Sequence, residues 1–301
     1  MRSDLNLWDL HHHSVADWQR ILAGHPGLAA RWLRFAAERG FRSAQLVLGQ
    51  MLLEGRGVAR DPAAAHGWFA RAAAIGSLDA RNMVGRCHEY GWGVPVDHAA
   101  ALAQYRRAAA EGHAWARYNV GCLLLYGDVP RDHAEAFRCF AAAAQAPDEA
   151  AAGKALGMLG RCHEEGWGTP PDHAAALRCY REAAAAGDGW GALNLGLLAL
   201  EAGDVSGAAS AIERAAALAA PNGLAAIVRA LAGRDEPALA ALRERVRAGL
   251  RPVGGTVPDT APPRRIAARP LEWRLSAALL AGHLLRRGRA PRARTIPATT
   301  G

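Results

Sequence analysis

The chain has 301 residues, room for one to three ordinary domains, and is 51% hydrophobic but only 6% aromatic. Much of the apolar content is Ala, which forms helices well and fills little core volume, so the composition points to closely packed helices and away from a sheet protein. The net charge of +8 lies entirely in residues 262–301, where nine Arg face the single acid Glu272; the other 261 residues are neutral, which removes any electrostatic case for a nucleic-acid-binding body.

Residues 1–13 contain no apolar core of the length a secretory signal needs, and His11, His12 and His13 read as an exposed polar lead-in to a helix cap at Ser14 to Asp17. No stretch of the chain reaches 18 apolar residues, so no membrane span is expected. Five cysteines, an odd number, do not suggest a disulfide framework. Together these features predict a cytoplasmic protein.

From residue 44 onward the sequence repeats itself. Residues 80–115 and 155–190 share the strings GRCHE, GWG and DHAAAL in the same phase. The unit restarts at Ala44, Ala80, Ala116 and Ala155, and in weakened form at Gly191, at intervals of 36, 36, 39 and 36 residues. A glycine stands five residues into each copy: Gly49, Gly85, Gly121, Gly160 and Gly196. Each unit reads as two helices. The first, residues 45–54 in the first copy, carries Val47, Leu48, Met51 and Leu52 at helical spacing. It ends at Gly55 and Gly57, a pair repeated as Gly91 and Gly93 and as Gly166 and Gly168, with Gly127 alone in the third copy. The second helix starts at Asp61, Asp97, Asp132 or Asp172, each placed to accept a hydrogen bond from a free N–H at the positive end of the helix dipole. Its apolar stripe in the first copy is Ala65, Trp68, Phe69, Ala72 and Ala73, and it ends at Gly76, Gly112 and Gly187 in three of the copies. One such pair cannot bury its own apolar face; stacked copies can.

At these residues the chain resembles the Sel-one-like repeats, relatives of the tetratricopeptide repeats. The residues that carry the resemblance are Ala44, Leu48, Gly49, Gly55, Gly57, Val58, Asp61, Ala65, Trp68, Phe69, Arg71, Ala72, Ala73 and Gly76. The chain departs from the family in placing Leu52, His88 and His163 where Tyr is usual. The resemblance implies an all-α, right-handed α-solenoid of helix–turn–helix repeats whose concave face binds peptides or proteins. The expected organisation is a lead-in over residues 1–27 and a solenoid over 28–220, followed by C-terminal helices over 221–250 and a Pro- and Arg-rich linker and tail over 251–301. Within the solenoid the expected parts are a half repeat 28–43, repeats 44–79, 80–115, 116–154 and 155–190, and a degenerate repeat 191–220. The secreted, cysteine-rich branch of the family pairs cysteines at positions that here are Ala73, Ala109 and Ala184 and their partners Ala44 and Ala80, which points away from that branch.

By resemblance to tetratricopeptide arrays, the groove is lined by the third, seventh and tenth positions of each first helix; spacings of three and four put such residues on one face. The predicted protein-binding set is Asn82, Arg86, Glu89, Tyr118, Cys122, Arg161 and Glu164. Leu125 and Gly157 complete the third and fourth units, and the first and fifth contribute Leu46, Gln50, Leu53, Leu193, Leu197 and Leu200. Arg86 and Glu89, like Arg161 and Glu164, stand at a spacing that permits an ion pair, which in the plainest reading is only a solvated surface contact.

Cys87, His88 and Glu89 with Asp97 and His98, and Cys162, His163 and Glu164 with Asp172 and His173, have the composition of metal ligands. Adjacent helical residues point about 100° apart and the aspartates serve as caps, so packing and capping are the better reading and no metal or cofactor is expected. Cys139 and Cys179 stand where Trp68 does in the first unit and read as small core residues. No Ser/Lys or Ser/His pair, phosphate-binding Gly loop or zinc motif is recognisable, so the expected function is a non-enzymatic scaffold or adaptor in a bacterial cytoplasm, binding an unidentified protein or peptide. A β-lactamase-like hydrolase is the alternative by family analogy. In the tail, residues 251–270 read as a linker; residues 271–285 and the following Arg run could cap the solenoid, touch an anionic membrane or nucleic acid, or stay disordered.

Overall fold

The protein, as a computed structural model, is described over residues 24–219 and 221–249. The expectations for the His run near the N-terminus and for the tail beyond residue 250 lie outside the described residues. Thirteen α-helices and no strand are found among the described residues. They divide into two compact units, one up to Asp97 and one from His98 onward.

The first unit holds α1 (Pro26–Glu38), α2 (Arg42–Glu54), α3 (Pro62–Ala74) and α4 (Leu78–Tyr90), each packed against the next in chain order. The local chemistry is as the repeat predicts. Asp61 accepts a hydrogen bond from the Ala64 N–H at 2.9 Å, Pro62 fills the first turn of α3, and Ala65, Phe69, Ala72 and Ala73 form its buried stripe. α2 begins three residues earlier than its apolar pattern suggests, with Phe41 at its N-cap and no side-chain cap. The core joins Trp32, Leu33, Leu48, Met51 and Phe69 with Cys87 of α4.

The second unit holds α5 (His98–Ala110), α6 (Ala114–Tyr126), α7 (His133–Ala144), α8 (Glu149–Glu165), α9 (His173–Ala185), α10 (Gly189–Glu201), α11 (Val205–Leu218), α12 (Pro221–Ala230) and α13 (Pro237–Gly249). Consecutive helices pack from α5 to α11. In addition, α8 touches both α6 and α10, so the first helices of successive repeats form a continuous row. Asp132, Asp148, Asp172, Asp188 and Asp204 cap their helices through N–H groups three residues on, at 2.8–3.0 Å. The 39-residue interval has a local cause. Asp148 caps α8 a full turn early, so the extra residues lengthen that helix to 17 residues against 13 in α6. Asp188 is buried and also pairs with Lys154, the only lysine of the chain.

The phased glycine exists for a steric reason. A Cβ at Gly49, Gly121, Gly160 or Gly196 would stand 2.5–2.6 Å from Phe69, Phe140, Tyr180 or Ile212. In each case the partner belongs to the second helix of the same repeat and is fully buried. Removing the Cβ lets a ring, or Ile212 in the last copy, lie directly on the first helix. Each such side chain withdrawn from water contributes about 1.5–3 kcal/mol. The degenerate repeat is therefore a real helix pair, α10 with α11. Behind it α12 and α13 close a further core of Ile212, Ile227, Leu231, Leu239, Leu242 and Val246.

The turn between the two helices of a repeat has a second task. Its second glycine, at positive φ, lies against the start of the preceding repeat's second helix. A Cβ at Gly57, Gly93 or Gly168 would come within 2.2–2.3 Å of backbone atoms of Pro26, Pro62 or His133. The third copy lacks that glycine; there the Asp128 N–H donates to His98 Nδ1 at 2.7 Å, again at the first residue of a second helix. The turn is closed from inside by the capping Asp, whose N–H donates to the carbonyl of Leu52, His88 or His163 at 2.8–2.9 Å.

Candidate protein-binding face

In the first unit α4 positions Asn82, Arg86 and Glu89. Asn82 is buried; Arg86 and Glu89 are half-buried. The Arg86 guanidinium lies 5.0 Å from the centre of the Trp92 ring and 5.9 Å from that of Tyr90, and its Nη1 approaches Met83 Sδ at 3.8 Å. Tyr90 and Trp92 are themselves in ring contact at 5.0 Å. A guanidinium over an indole face contributes about 0.5–1 kcal/mol at an exposed site and holds the side chain in one orientation.

In the second unit the sequence-selected residues take different positions. Tyr118 and Cys122 are buried, Tyr118 between Trp115 and Phe140 with both ring centres at 5.9 Å. Leu125 and Gly157 are buried as well. Arg161 is exposed, with its guanidinium 5.5 Å from the centre of Trp167. Glu164 is half-buried and accepts a hydrogen bond from the Tyr180 hydroxyl at 2.5 Å, so its carboxylate is tied to α9. That hydrogen bond and burial both push the Tyr180 phenol up, burial more strongly. Among the remaining sequence-selected positions, Leu46, Gln50, Leu53, Leu197 and Leu200 are half-buried and Leu193 is buried.

The residues that sequence reading missed are the aromatic partners of the arginines. Trp167 is met edge-on by Tyr126 at 6.0 Å and at a tilt of 45° by His133 at 5.9 Å. Tyr126 is 47% exposed; partial burial pushes its phenol up to about 12, with Arg161 pulling the other way. A signal was present in the sequence: Trp stands between the two turn glycines in both the second and fourth copies, Gly91, Trp92, Gly93 and Gly166, Trp167, Gly168. It was hidden because the turn reads first as backbone punctuation. Both units thus carry an Arg held on a Trp beside a Tyr. These are the side chains most enriched at binding hot spots, because a large rigid surface and a charge are offered at low entropic cost.

The Cys-His-Glu strings resolve into packing. His88 meets His66 edge-on at 5.6 Å, and His163 meets Phe137 at 5.4 Å and 90°. Each is a contact from a first helix to the preceding repeat's second helix. Burial pushes the Cys87 and Cys162 thiols up to about 12, so they are held as neutral core groups. Among the described residues no group of three or more His, Cys, Asp or Glu converges as a metal site, and no helix is long and apolar enough to cross a membrane.

A sequence model of the Sel1 repeat matches residues 26–41, 42–77, 78–113, 116–148 and 153–188, just over half of the chain. The chain belongs to the Sel1 repeat family. Sel1 repeats are in general protein-interaction scaffolds. The fold is similar to that of a protective antigen present in uropathogenic Escherichia coli strains, which displays the same repeat fold. The two are 26% identical with a TM-score of 0.63, over 82% of this chain and 56% of that one, so this chain spans little more than half of that relative. It is also similar to a Sel1 repeat protein from Oxalobacter formigenes at 24% identity and a TM-score of 0.65, over 78% of this chain and all of that one. A comparison with curated proteins finds no match. The solenoid class implied by the repeat sequence is thereby shown, and the Sel1 match ends at residue 188, just before the degenerate pair begins at Gly189.

Proposed function

We propose that this Sel1 repeat protein is a non-enzymatic scaffold or adaptor that holds a protein or peptide on the face built by its first helices, the face the family resemblance places on the concave side. One observation carries the reading: in each unit a first-helix arginine, Arg86 or Arg161, is held over a turn tryptophan with a tyrosine beside it. Such a group recognises an acidic or carboxylate-bearing segment through the guanidinium and an apolar side chain through the rings. Of the sequence-selected residues, Arg86, Glu89, Arg161 and Glu164 reach the surface and would make contact. Asn82, Tyr118 and Cys122, buried beneath, would support the face. The test is capture of a partner by the wild-type chain and by Arg86→Glu, Arg161→Glu and the double variant, followed by titration of the captured protein against each. Reversing a hot-spot charge should weaken binding at least about 30-fold, with unchanged melting of the variants. A partner bound equally well by all four chains would place the binding face elsewhere.

A further inference from the structure

The degenerate repeat lacks three groups that earlier repeats place against a second helix. The first is the turn. Where the fourth repeat has seven residues from Gly166 to Asp172, the fifth has three: Ala202, Gly203 and Asp204. His133, the first residue of α7, is met by Trp167 of the next repeat's turn at 5.9 Å. His173, the first residue of α9, is exposed, and the shortened turn after α10 contains no ring to meet it. The second is a filling ring. Phe137 is met by His163, whereas the corresponding pair one repeat later is Leu177 and Ala199, and Ala199 is too short to fill the same space. The third is a carboxylate. Arg106 of α5 donates to Glu135 of α7 through Nε at 2.9 Å and through Nη2 at 2.5 Å. The same two positions, ninth in one second helix and third in the next, are Arg181 of α9 and Gly207 of α11. The result is an open cavity of about 530 Å³ lined by His173, Leu177, Arg181, Leu195, Leu198 and Gly207. None of these residues belongs to the Arg86 and Arg161 face.

What the notch lacks defines what fits it. A ring belongs against His173 and Leu177, on the apolar floor of Leu195 and Leu198. A carboxylate belongs on Arg181, whose guanidinium can take it through two parallel hydrogen bonds as Arg106 takes Glu135. Among the described residues the Arg181 side chain makes no hydrogen bond or ion pair. Glu201 and Asp204 also line the cavity, Asp204 with its carboxylate engaged in capping α11. They repel a segment that is acidic throughout and so limit the ligand to a single acid. From His173 to Arg181 the helix rises about 12 Å at 1.5 Å per residue, a distance that an extended segment covers in about four residues. We propose that the notch is a second binding site, and that its ligand is a segment of a partner protein carrying an aromatic residue and, about four residues away, one acidic residue. The aromatic side chain lies on Leu177 beside His173, as Trp167 meets His133, and the carboxylate lies on Arg181, as Glu135 lies on Arg106. The partner thereby completes at the degenerate repeat the contacts that earlier repeats make within the chain.

The experiment is titration of the full chain into a fluorescently labelled, end-blocked peptide, Gly-Trp-Gly-Thr-Pro-Asp, read by anisotropy. Saturable binding is expected. Asn in place of the peptide's Asp, or Ala in place of its Trp, should each weaken binding at least about tenfold, because the paired carboxylate and the ring carry the contact. Leu177→Glu and Arg181→Glu should weaken it as much, and Arg181→Glu should regain binding to a peptide with Lys in place of the Asp. Arg181 is exposed, so its variant keeps the test intact even where Leu177→Glu unfolds the chain. No binding by the full wild-type chain overturns the proposal, as does binding that neither variant weakens. N-acetyltryptophan bound as tightly as the peptide also overturns it, because the ligand would then be a small aromatic acid. So does binding that is lost as the chain is concentrated into a dimer seen by light scattering, because a second copy would then hold the notch.

Discussion

The fourth repeat, residues 155–190, and the fifth, residues 191–220, share a core and differ in the turn. In both, a glycine on the first helix receives a buried side chain of the second, Gly160 with Tyr180 and Gly196 with Ile212. Only the fourth has the Gly-Trp-Gly turn that reaches back to the preceding repeat. The glycine contact makes a helix pair; the turn joins that pair to its neighbour and presents the Trp that orients Arg161. A repeat can lose the second function and keep the first, which explains how α10 and α11 fold as a pair although the family pattern has faded.

The largest expected effect tests the shared part. Tyr180→Ala should cost about 3–5 kcal/mol and Ile212→Ala about 2–5 kcal/mol, since both empty a fully packed site. Urea unfolding would read both. A silent Ile212→Ala would break the comparison by showing that the fifth repeat does not unfold with the rest. The next effect tests the turns. Gly168→Ala places a Cβ 2.2 Å from the His133 carbonyl oxygen at φ +75 and should cost about 2–4 kcal/mol. Gly203→Ala has a similar φ of +79 with nothing within 4 Å and should cost only about 1 kcal/mol. Equal losses would mean that backbone conformation, and not the seating on the preceding helix, is what the turn glycine supplies.

The smallest effect concerns the edge-on contact that the fifth repeat replaces with Leu177 and Ala199. Burial, and secondarily the neighbouring His88, hold the His66 pKa below its ordinary 6.5. The folded chain therefore binds this proton less readily than the unfolded chain, and stability should fall as pH drops below about 6.5. Melting temperatures at pH 7.5 and 5.5 would show the drop, and His66→Phe should shrink it. A drop of the same size in the variant would assign the acid sensitivity to another group.

Much of the fold was legible because it is local. The capping aspartates and the turn glycines act through residues close to them in sequence, and their recurrence along the chain gives the repeat interval. The candidate face was less legible. Counting positions along the first helix found Arg86, which is half-buried, and Arg161, which is exposed. The same count selected Tyr118 and Cys122, which are buried because Trp115 and Phe140 close over Tyr118. The predicted pair of Arg161 with Glu164 gave way to two other contacts, Arg161 on Trp167 and Glu164 with the Tyr180 hydroxyl, because each partner comes from outside the helix that the spacing rule considers.

By itself, then, the amino-acid sequence determined that this protein is a stack of helix pairs, since periodicity, caps and glycine phase are properties of short segments. It also determined that the fifth pair lacks its turn. Only the tertiary structure decided which ring each phased glycine receives, what the Cys-His-Glu strings touch, and where the missing turn leaves a cavity. Those outcomes depend on residues some 16 to 34 positions apart, such as Glu164 with Tyr180 and His133 with Trp167, being brought within a few ångströms of one another by packing that no local pattern records.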